Sequence, residues 1–295
     1  MAVSRSPVAE SFAGILAGVT LAEPDISAFE THRARIESSL RSSFNLSKVV
    51  CVGSYARGSA IRLFSDLDLF VVLRRRETDW GGRLVLPNTI LTRLRTALQG
   101  TFPQSFIGRD GQAVVIKFSD GREVDVVPAR FDDALESGWP LYRIPSDVDH
   151  WLATSPELHN KYIAEGNERA GGKLKSVVRI LKYWKFCRVP QLPLNAFHLE
   201  LLLAKHGTCN GGRTLAQCVA DALSLVQQRS ARALQDPCSI SGNISAAATN
   251  SKVDRLVAAV GASAGRAQEA VRCESFGNIG EALRLWGLVF NGRFP

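Results

Sequence analysis

GSYARGSAIRLFSDLDLFVVL, from Gly53 to Leu73, joins a Gly-Ser pair to a small, basic turn and then to Ser-Asp-Leu-Asp at the mouth of an apolar run. Asp66 and Asp68 are two residues apart, so on a strand their side chains share one face. Carboxylates held that close repel, and one tends to keep its proton unless a cation intervenes. Hard oxygen ligands at this spacing suit Mg²⁺, with Mn²⁺ as a substitute, and Mg²⁺ completes its shell with water and substrate phosphate. Upstream, Val49–Val52 reads as a short buried strand ending in Gly53-Ser54. A glycine there lets backbone approach a phosphate, and the following turn can aim peptide N–H groups at anionic oxygens. The expectation is a site for a nucleoside triphosphate and its metals.

A third carboxylate is expected at Asp125 in REVDVVPAR, on a strand whose Val124, Val126 and Val127 read as buried. The run Ala113–Phe118 and the turn Ser119-Asp120-Gly121 form a predicted hairpin that brings Asp125 beside the first pair. Metals bridged by three carboxylates can activate a hydroxyl nucleophile and stabilise a leaving pyrophosphate in line. A surface charge at a strand end is the bland alternative for Asp125 taken alone; the SDLDL pair disfavours it.

Gly-Ser, then Asp-x-Asp, then a later lone Asp resembles the polymerase-β-like nucleotidyltransferase superfamily over about residues 48–128. Poly(A) polymerases, CCA-adding enzymes, aminoglycoside nucleotidyltransferases and oligonucleotide-signal synthases share this pattern. The resemblance implies the reaction class and leaves the acceptor open.

A chain of 295 residues with 45% apolar content can bury a substantial core, and two lobes are expected. No run of about eighteen or more consecutive apolar residues reads as a membrane span. The apolar patch Phe12–Leu21 is interrupted in front by Glu10 and reads as an N-terminal helix or arm rather than a signal peptide. The cysteines (Cys51, Cys187, Cys209, Cys218, Cys238 and Cys273) lack paired spacing, which suits a reduced, cytoplasmic chain. His206 and Cys209 have no second ligand pair at zinc-site spacing. A net charge of +8 suits a protein that handles polyanions. Arg74-Arg75-Arg76 reads as a solvated turn at a strand end, so small nucleotides are favoured over nucleic acid, which the sequence does not require.

The fold class is therefore α/β (α+β): a nucleotidyltransferase lobe with a mixed central sheet, residues 1–158, then a mostly helical lobe, residues 159–295. Phe131 to about Pro156 reads as irregular connection. A helical pattern starts near His159 and strengthens at Gly172, where Leu174, Val177, Val178, Leu181 and Trp184 make one apolar face. Lys175, Arg179 and Lys182 fall on another stripe, either a solvated face or a cationic one turned toward the phosphates. Further helices are predicted at Leu194–Lys205, Thr214–Gln228, Ser251–Ala259 and Ile279–Phe290.

KLKSVVRILKYWK, PLNAFHLELLL, QDPCSISGNIS and EALRLWGLVFNGRFP, taken in order, resemble the oligoadenylate-synthetase-like branch. More narrowly, the chain is similar to the bacterial cGAS/DncV-like nucleotidyltransferases (CD-NTases) of CBASS anti-phage systems. That resemblance implies that Lys182 reaches the donor triphosphate. It also implies that the segment Asn195-Ala196-Phe197 replaces a Ser-Ser-Tyr-like one, Asn195 offering a hydrogen bond and Phe197 stacking on the donor base. Asp66, Asp68 and Asp125 would hold the metals, and Gly53 and Ser54 would cradle the triphosphate. The implied activity joins NTPs, ATP among them, into a cyclic di- or trinucleotide second messenger, sensed by a separate effector protein, with no membrane involved. A template-independent RNA nucleotidyltransferase and a non-enzymatic, antitoxin-like binder are the alternatives.

Overall fold

Pro7 and Pro24 sit in first-turn positions, where a missing N–H costs a helix nothing. They open α1 (Pro7–Val19), N-capped by the Ser6 side chain, and α2 (Glu23–Ser43). Next come β1 (Leu46–Val52), the single-turn α3 (Gly53–Arg57), β2 (Leu67–Leu73), α4 (Arg75–Thr78), the hairpin β3 (Asp79–Trp80) and β4 (Arg83–Leu84), and α5 (Pro87–Thr101). Five strands follow: β5 (Phe106–Asp110), β6 (Ala113–Lys117), β7 (Glu123–Ala134), β8 (Pro140–Pro145) and β9 (Trp151–Thr154). The rest is helical: α6 (Pro156–Arg169), α7 (Lys173–Phe186), α8 (Ala196–His206), α9 (Leu215–Gln228), α10 (Asn250–Ser275) and α11 (Ile279–Val289). Only the small hairpin β10 (Leu234–Gln235) and β11 (Asn243–Ile244) interrupts it among the described residues. The computed structural model describes residues 6–62, 65–146 and 149–295. It forms a sheet unit, Leu21–Asn160, and a helical unit made of the residues up to Thr20 with Lys161–Pro295.

The sheet unit is built on a mixed sheet in the order β1-β2-β7-β6-β5, with β8 and β9 continuing from the far half of β7. Its single parallel pairing among the described strands joins β2 to β7; the others are antiparallel. β2 is covered on both faces, which is why LDLFVVL reads as an almost unbroken apolar run. Leu67, Leu69, Val71 and Leu73 point into a core shared with Ile36 and Leu40 of α2 and Ile90, Leu94 and Leu98 of α5. Phe70 and Val72 point the other way, into a smaller cluster with Val127, Ala129, Tyr142 and Ile144. Asp68 has the parity of that second face and lies at its N-terminal edge.

In the helical unit α7 buries Leu174, Val177, Val178, Leu181 and Trp184, and the Trp184 Nε1 donates to the buried Ser263 Oγ of α10 at 3.2 Å. The N-terminal helix departs from the expected division at residue 158. α1 belongs to the helical unit because Phe12 packs edge-on against Trp286 at 4.9 Å and also meets Phe290 and Phe294. Val8, Phe12, Ile15 and Val19 form the buried face of that helix. The run Pro7–Ser43 includes a window long and apolar enough, by composition alone, to cross a membrane. The break at Thr20–Ala22 divides it into α1 and α2, and the apolar face of α1 is spent on protein.

Two further expectations are corrected. The segment expected to be irregular, Phe131 to about Pro156, holds the end of β7 and all of β8 and β9. Its prolines hide the strands because they stand at strand ends, Pro140 and Pro145, where a missing donor is tolerated. The helix predicted at Ser251–Ala259 runs on to Ser275. Ser263, Ala264, Ala267 and Ala270 are buried there, and side chains this small blur the periodic signal while allowing close helix packing.

Candidate active site

β1 ends at Val52, and the chain turns at once through Gly53, whose φ of +63° favours glycine. The turn brings Gly53 against the second aspartate of the SDLDL motif. A Cβ on Gly53 would lie 1.7 Å from Asp68 Oδ2, so any side chain here collides with a site carboxylate. Ser54 follows in the first turn of α3, and its carbonyl accepts from Ser59 N at 2.9 Å and Ala60 N at 3.0 Å. These bonds curl the segment into a compact turn.

Asp68 and Asp125 are direct register partners on the parallel strands β2 and β7. On its other side Asp125 faces Val115 of β6, so the expected hairpin is formed and delivers the third acid. Asp66 precedes β2 by one residue and is exposed, while Asp68 and Asp125 are half-buried. Burial, then the charges of Asp68 and Asp66, and then Glu123 and Asp110, push the Asp125 carboxyl up to about 8. Its Oδ1 is buried with no hydrogen-bond partner. An orphaned carboxylate oxygen among like charges fits a divalent cation: the donors are hard oxygens, and the ion would supply the missing partner. Glu123, which carries part of this field, pairs with Lys117 Nζ at 2.7 Å across the β6–β7 ladder. Sequence spacing did not single it out, although its parity with Asp125 on one strand could have done so.

The remaining predicted residues lie in the helical unit. Lys182 is buried on α7, only 6% exposed, so the cationic stripe is no ordinary solvated face. Arg179, one turn earlier, is half-buried, and burial lowers its guanidinium pKa. Asn195 is the N-cap of α8: its Oδ1 accepts from Phe197 N at 3.0 Å and His198 N at 3.4 Å, and its Nδ2 donates to Ser245 O at 3.0 Å. That side chain has a structural task which the sequence reading did not assign to it. Phe197 is half-buried in the first turn of α8. The structure thus gathers Gly53, Ser54, Asp66, Asp68 and Asp125 in one unit and carries Lys182, Asn195 and Phe197 on the other.

Residues 7–167 match the Second Messenger Oligonucleotide or Dinucleotide Synthetase (SMODS) domain. The chain is 30% identical over 168 residues to a cyclic AMP-AMP-AMP synthase of Escherichia coli, which covers 55% of this chain and 50% of that protein. It is 26% identical over 261 residues to a cyclic AMP-AMP-AMP synthase of an Acinetobacter species, covering 82% and 71%. The chain therefore spans about half the length of the E. coli relative in this match. In fold it is similar to the solved structure of E. coli CdnC with ATP, with a TM-score of 0.72 and 21% identity over 97% of this chain and 98% of that one. With more than half of its residues matched to the SMODS domain, the chain belongs to that family, the CD-NTase branch of the polymerase-β-like nucleotidyltransferases.

Proposed function

We propose that this protein is a Mg²⁺-dependent synthase that condenses NTPs, with ATP as a substrate, into a cyclic di- or trinucleotide second messenger in anti-phage defence. The observation that carries the reading is the Asp68–Asp125 register pair, with the buried, unpartnered Oδ1 of Asp125 and Gly53 pressed against Asp68. Two relatives named cyclic AMP-AMP-AMP synthases support adenosine as a base and a trinucleotide as a product. Asp66, Asp68 and Asp125 would hold the divalent ions. What such ions supply is charge: they screen the carboxylates and the triphosphate and favour departure of pyrophosphate.

The chain's own groups do the rest. The Gly53-Ser54 turn receives the triphosphate tail; on the helical unit, Lys182 is the cation assigned to phosphate. Phe197 stacks on the donor base, and Asn195 holds the segment that presents it. Asp125, beside the attacking ribose hydroxyl, takes up its proton as the oxygen bonds to the α-phosphorus and the bond to pyrophosphate breaks. Ring closure repeats the step, with the linear product's own triphosphate as donor. The product would act in the cytoplasm on a separate effector protein.

Incubating the protein with four labelled NTPs and Mg²⁺, followed by phosphatase, tests the reading. Short phosphatase-resistant products are expected. RNA-dependent extension would instead show an RNA nucleotidyltransferase, and the absence of any transfer would favour a nucleotide binder.

A further inference from the structure

The three carboxylates are not held alike. Asp68 and Asp125 are locked by strand register, whereas Asp66 stands just outside β2. Ahead of Asp66, Ile61 N donates to Ser65 Oγ at 2.9 Å and Ser65 N donates to Ile61 O at 3.1 Å, which ties these two residues together. Arg62 lies between them in the chain. Its Nε is 3.2 Å from Oδ2 of Asp25, in the first turn of α2.

Asp25 is an unusual place for a carboxylate, with only 9% of the residue exposed. Its Oδ2 also accepts from Ala22 N at 3.1 Å, closing the N-terminus of α2, where negative charge is favoured. Its Oδ1 takes Arg122 NH2 at 3.1 Å. Arg122 in turn donates from NH1 to Asp120 at 3.0 Å, and Asp120 accepts from His32 Nε2 of α2 at 2.8 Å. The His32 ring is stacked on Phe118 at 3.8 Å, and the Arg122 guanidinium lies over Phe29. Phe29 meets Tyr55 of α3 edge-on at 5.6 Å. The first turns of α2 thus grip the segment of Gly53 and Ser54, the turn before Asp66, and the β6–β7 turn before Asp125.

The β6–β7 turn has the sheet to fix it, and the Gly53 segment has β1. The turn before Asp66 meets the sheet only at its far end, where β2 begins at Leu67. We propose that Asp25 is a positioning residue that sets Asp66 for metal binding by anchoring Arg62, with Arg122 as the second arm of the clamp. This rests on the reading of Asp66, Asp68 and Asp125 as the metal site. The clamp is made of charged groups around a largely buried carboxylate, where removing one partner leaves the others uncompensated.

Mn²⁺ binding to the full chain, followed by electron paramagnetic resonance of the free ion up to millimolar concentration, tests the proposal without nucleotide or turnover. Asp25→Asn should weaken binding roughly tenfold, the lower end of losses seen for groups supporting metal ligands. Arg62→Ala, which alters a half-exposed side chain, should do the same and serves if Asp25→Asn fails to fold. In an Asp66→Asn background neither change should weaken binding further. Unchanged binding in Arg62→Ala overturns the proposal, as does an equal loss with and without Asp66. If Asp66→Asn and Asp68→Asn themselves leave Mn²⁺ binding unaltered, the metal site falls and the proposal with it, an outcome distinct from failure of the clamp alone. Melting curves in chelator separate loss of fold from loss of site.

Discussion

Asp68 and Asp125 stand side by side on parallel strands, and the carboxyl of Asp125 is held at about 8 because burial and the neighbouring acids oppose its charge. Two ladder neighbours on one sheet face cannot both ionise cheaply without a cation. The metal-free protein accordingly keeps a proton where the loaded site would hold an ion.

That proton has a sign in stability. The ordinary value near 3.8 is raised to about 8 in the folded chain, so the folded state binds the proton more tightly than the unfolded one. Stability from this group is present below about pH 4 and is lost as pH rises toward about 8. Asp125→Asn cannot ionise and should be more stable than the parent in chelator at pH 8.5, by several kcal/mol, since each pH unit by which the carboxyl is raised is worth about 1.4 kcal/mol. At pH 4 the two should converge. Urea melts at both values check this, and a parent–variant difference that does not change with pH contradicts it.

Gly53→Ala should fail on two counts, a backbone at φ +63° and a Cβ 1.7 Å from Asp68 Oδ2. Strain of this kind costs about 1–3 kcal/mol, and the displaced Asp68 should abolish product formation. Thermal melts and the phosphatase-resistance assay report the two effects separately. Wild-type turnover in this variant would mean that Asp68 is not needed where it stands.

Replacing Asp66 and Asp68 together by Ala should eliminate synthesis while leaving the fold intact. Metal-free thermal stability should hold or rise, because like charges are removed from around Asp125. Turnover within about tenfold of the parent in a folded double variant would sink the metal assignment, because losses of about 10–100-fold already follow removal of groups that only support metal ligands.

Lys182 is buried, so its aliphatic stem packs and a truncation would remove packing as well as charge. Lys182→Met keeps the stem and removes the charge. NTP affinity should fall on the order of ten- to a hundredfold, the scale of a charge-assisted contact of about 1.5–3 kcal/mol. Equilibrium binding of a non-hydrolysable NTP decides it, and undiminished affinity would return Lys182 to a structural role.

Phe197→Ala should cost about 1–3 kcal/mol in nucleotide binding if the ring stacks on a base, and Phe197→Tyr should be nearly silent. A core phenylalanine would instead lose roughly 3–5 kcal/mol of stability in the absence of ligand. Comparing apo melting with nucleotide affinity distinguishes these outcomes.

The catalytic lobe was legible because its signals are local. Carboxylates at Asp68 and Asp125 interrupt strands otherwise apolar enough to be buried, and Asp66 stands two residues before Asp68 at the entry to β2. Helices α7, α9 and α11 carry clear apolar faces and lie close to their expected spans. The strands β8 and β9 were not legible, since short strands with prolines at their ends look like turns until a neighbour completes the ladder. Asp25 gave no signal at all: its meaning comes from Arg62 and Arg122, which are far from it along the chain.

By itself the sequence determined the chemistry on offer: which acids, which glycine, and which strands could carry them, because spacing along a strand is a covalent fact. Tertiary structure alone decided that Asp68 and Asp125 are register partners, that Gly53 closes on Asp68, that α1 joins the helical unit, and that Lys182 is buried while Asn195 caps a helix. Each of these depends on which surfaces exclude water together and which charges end up adjacent when they do, and such proximity is set by the packing of distant segments rather than by their order in the chain.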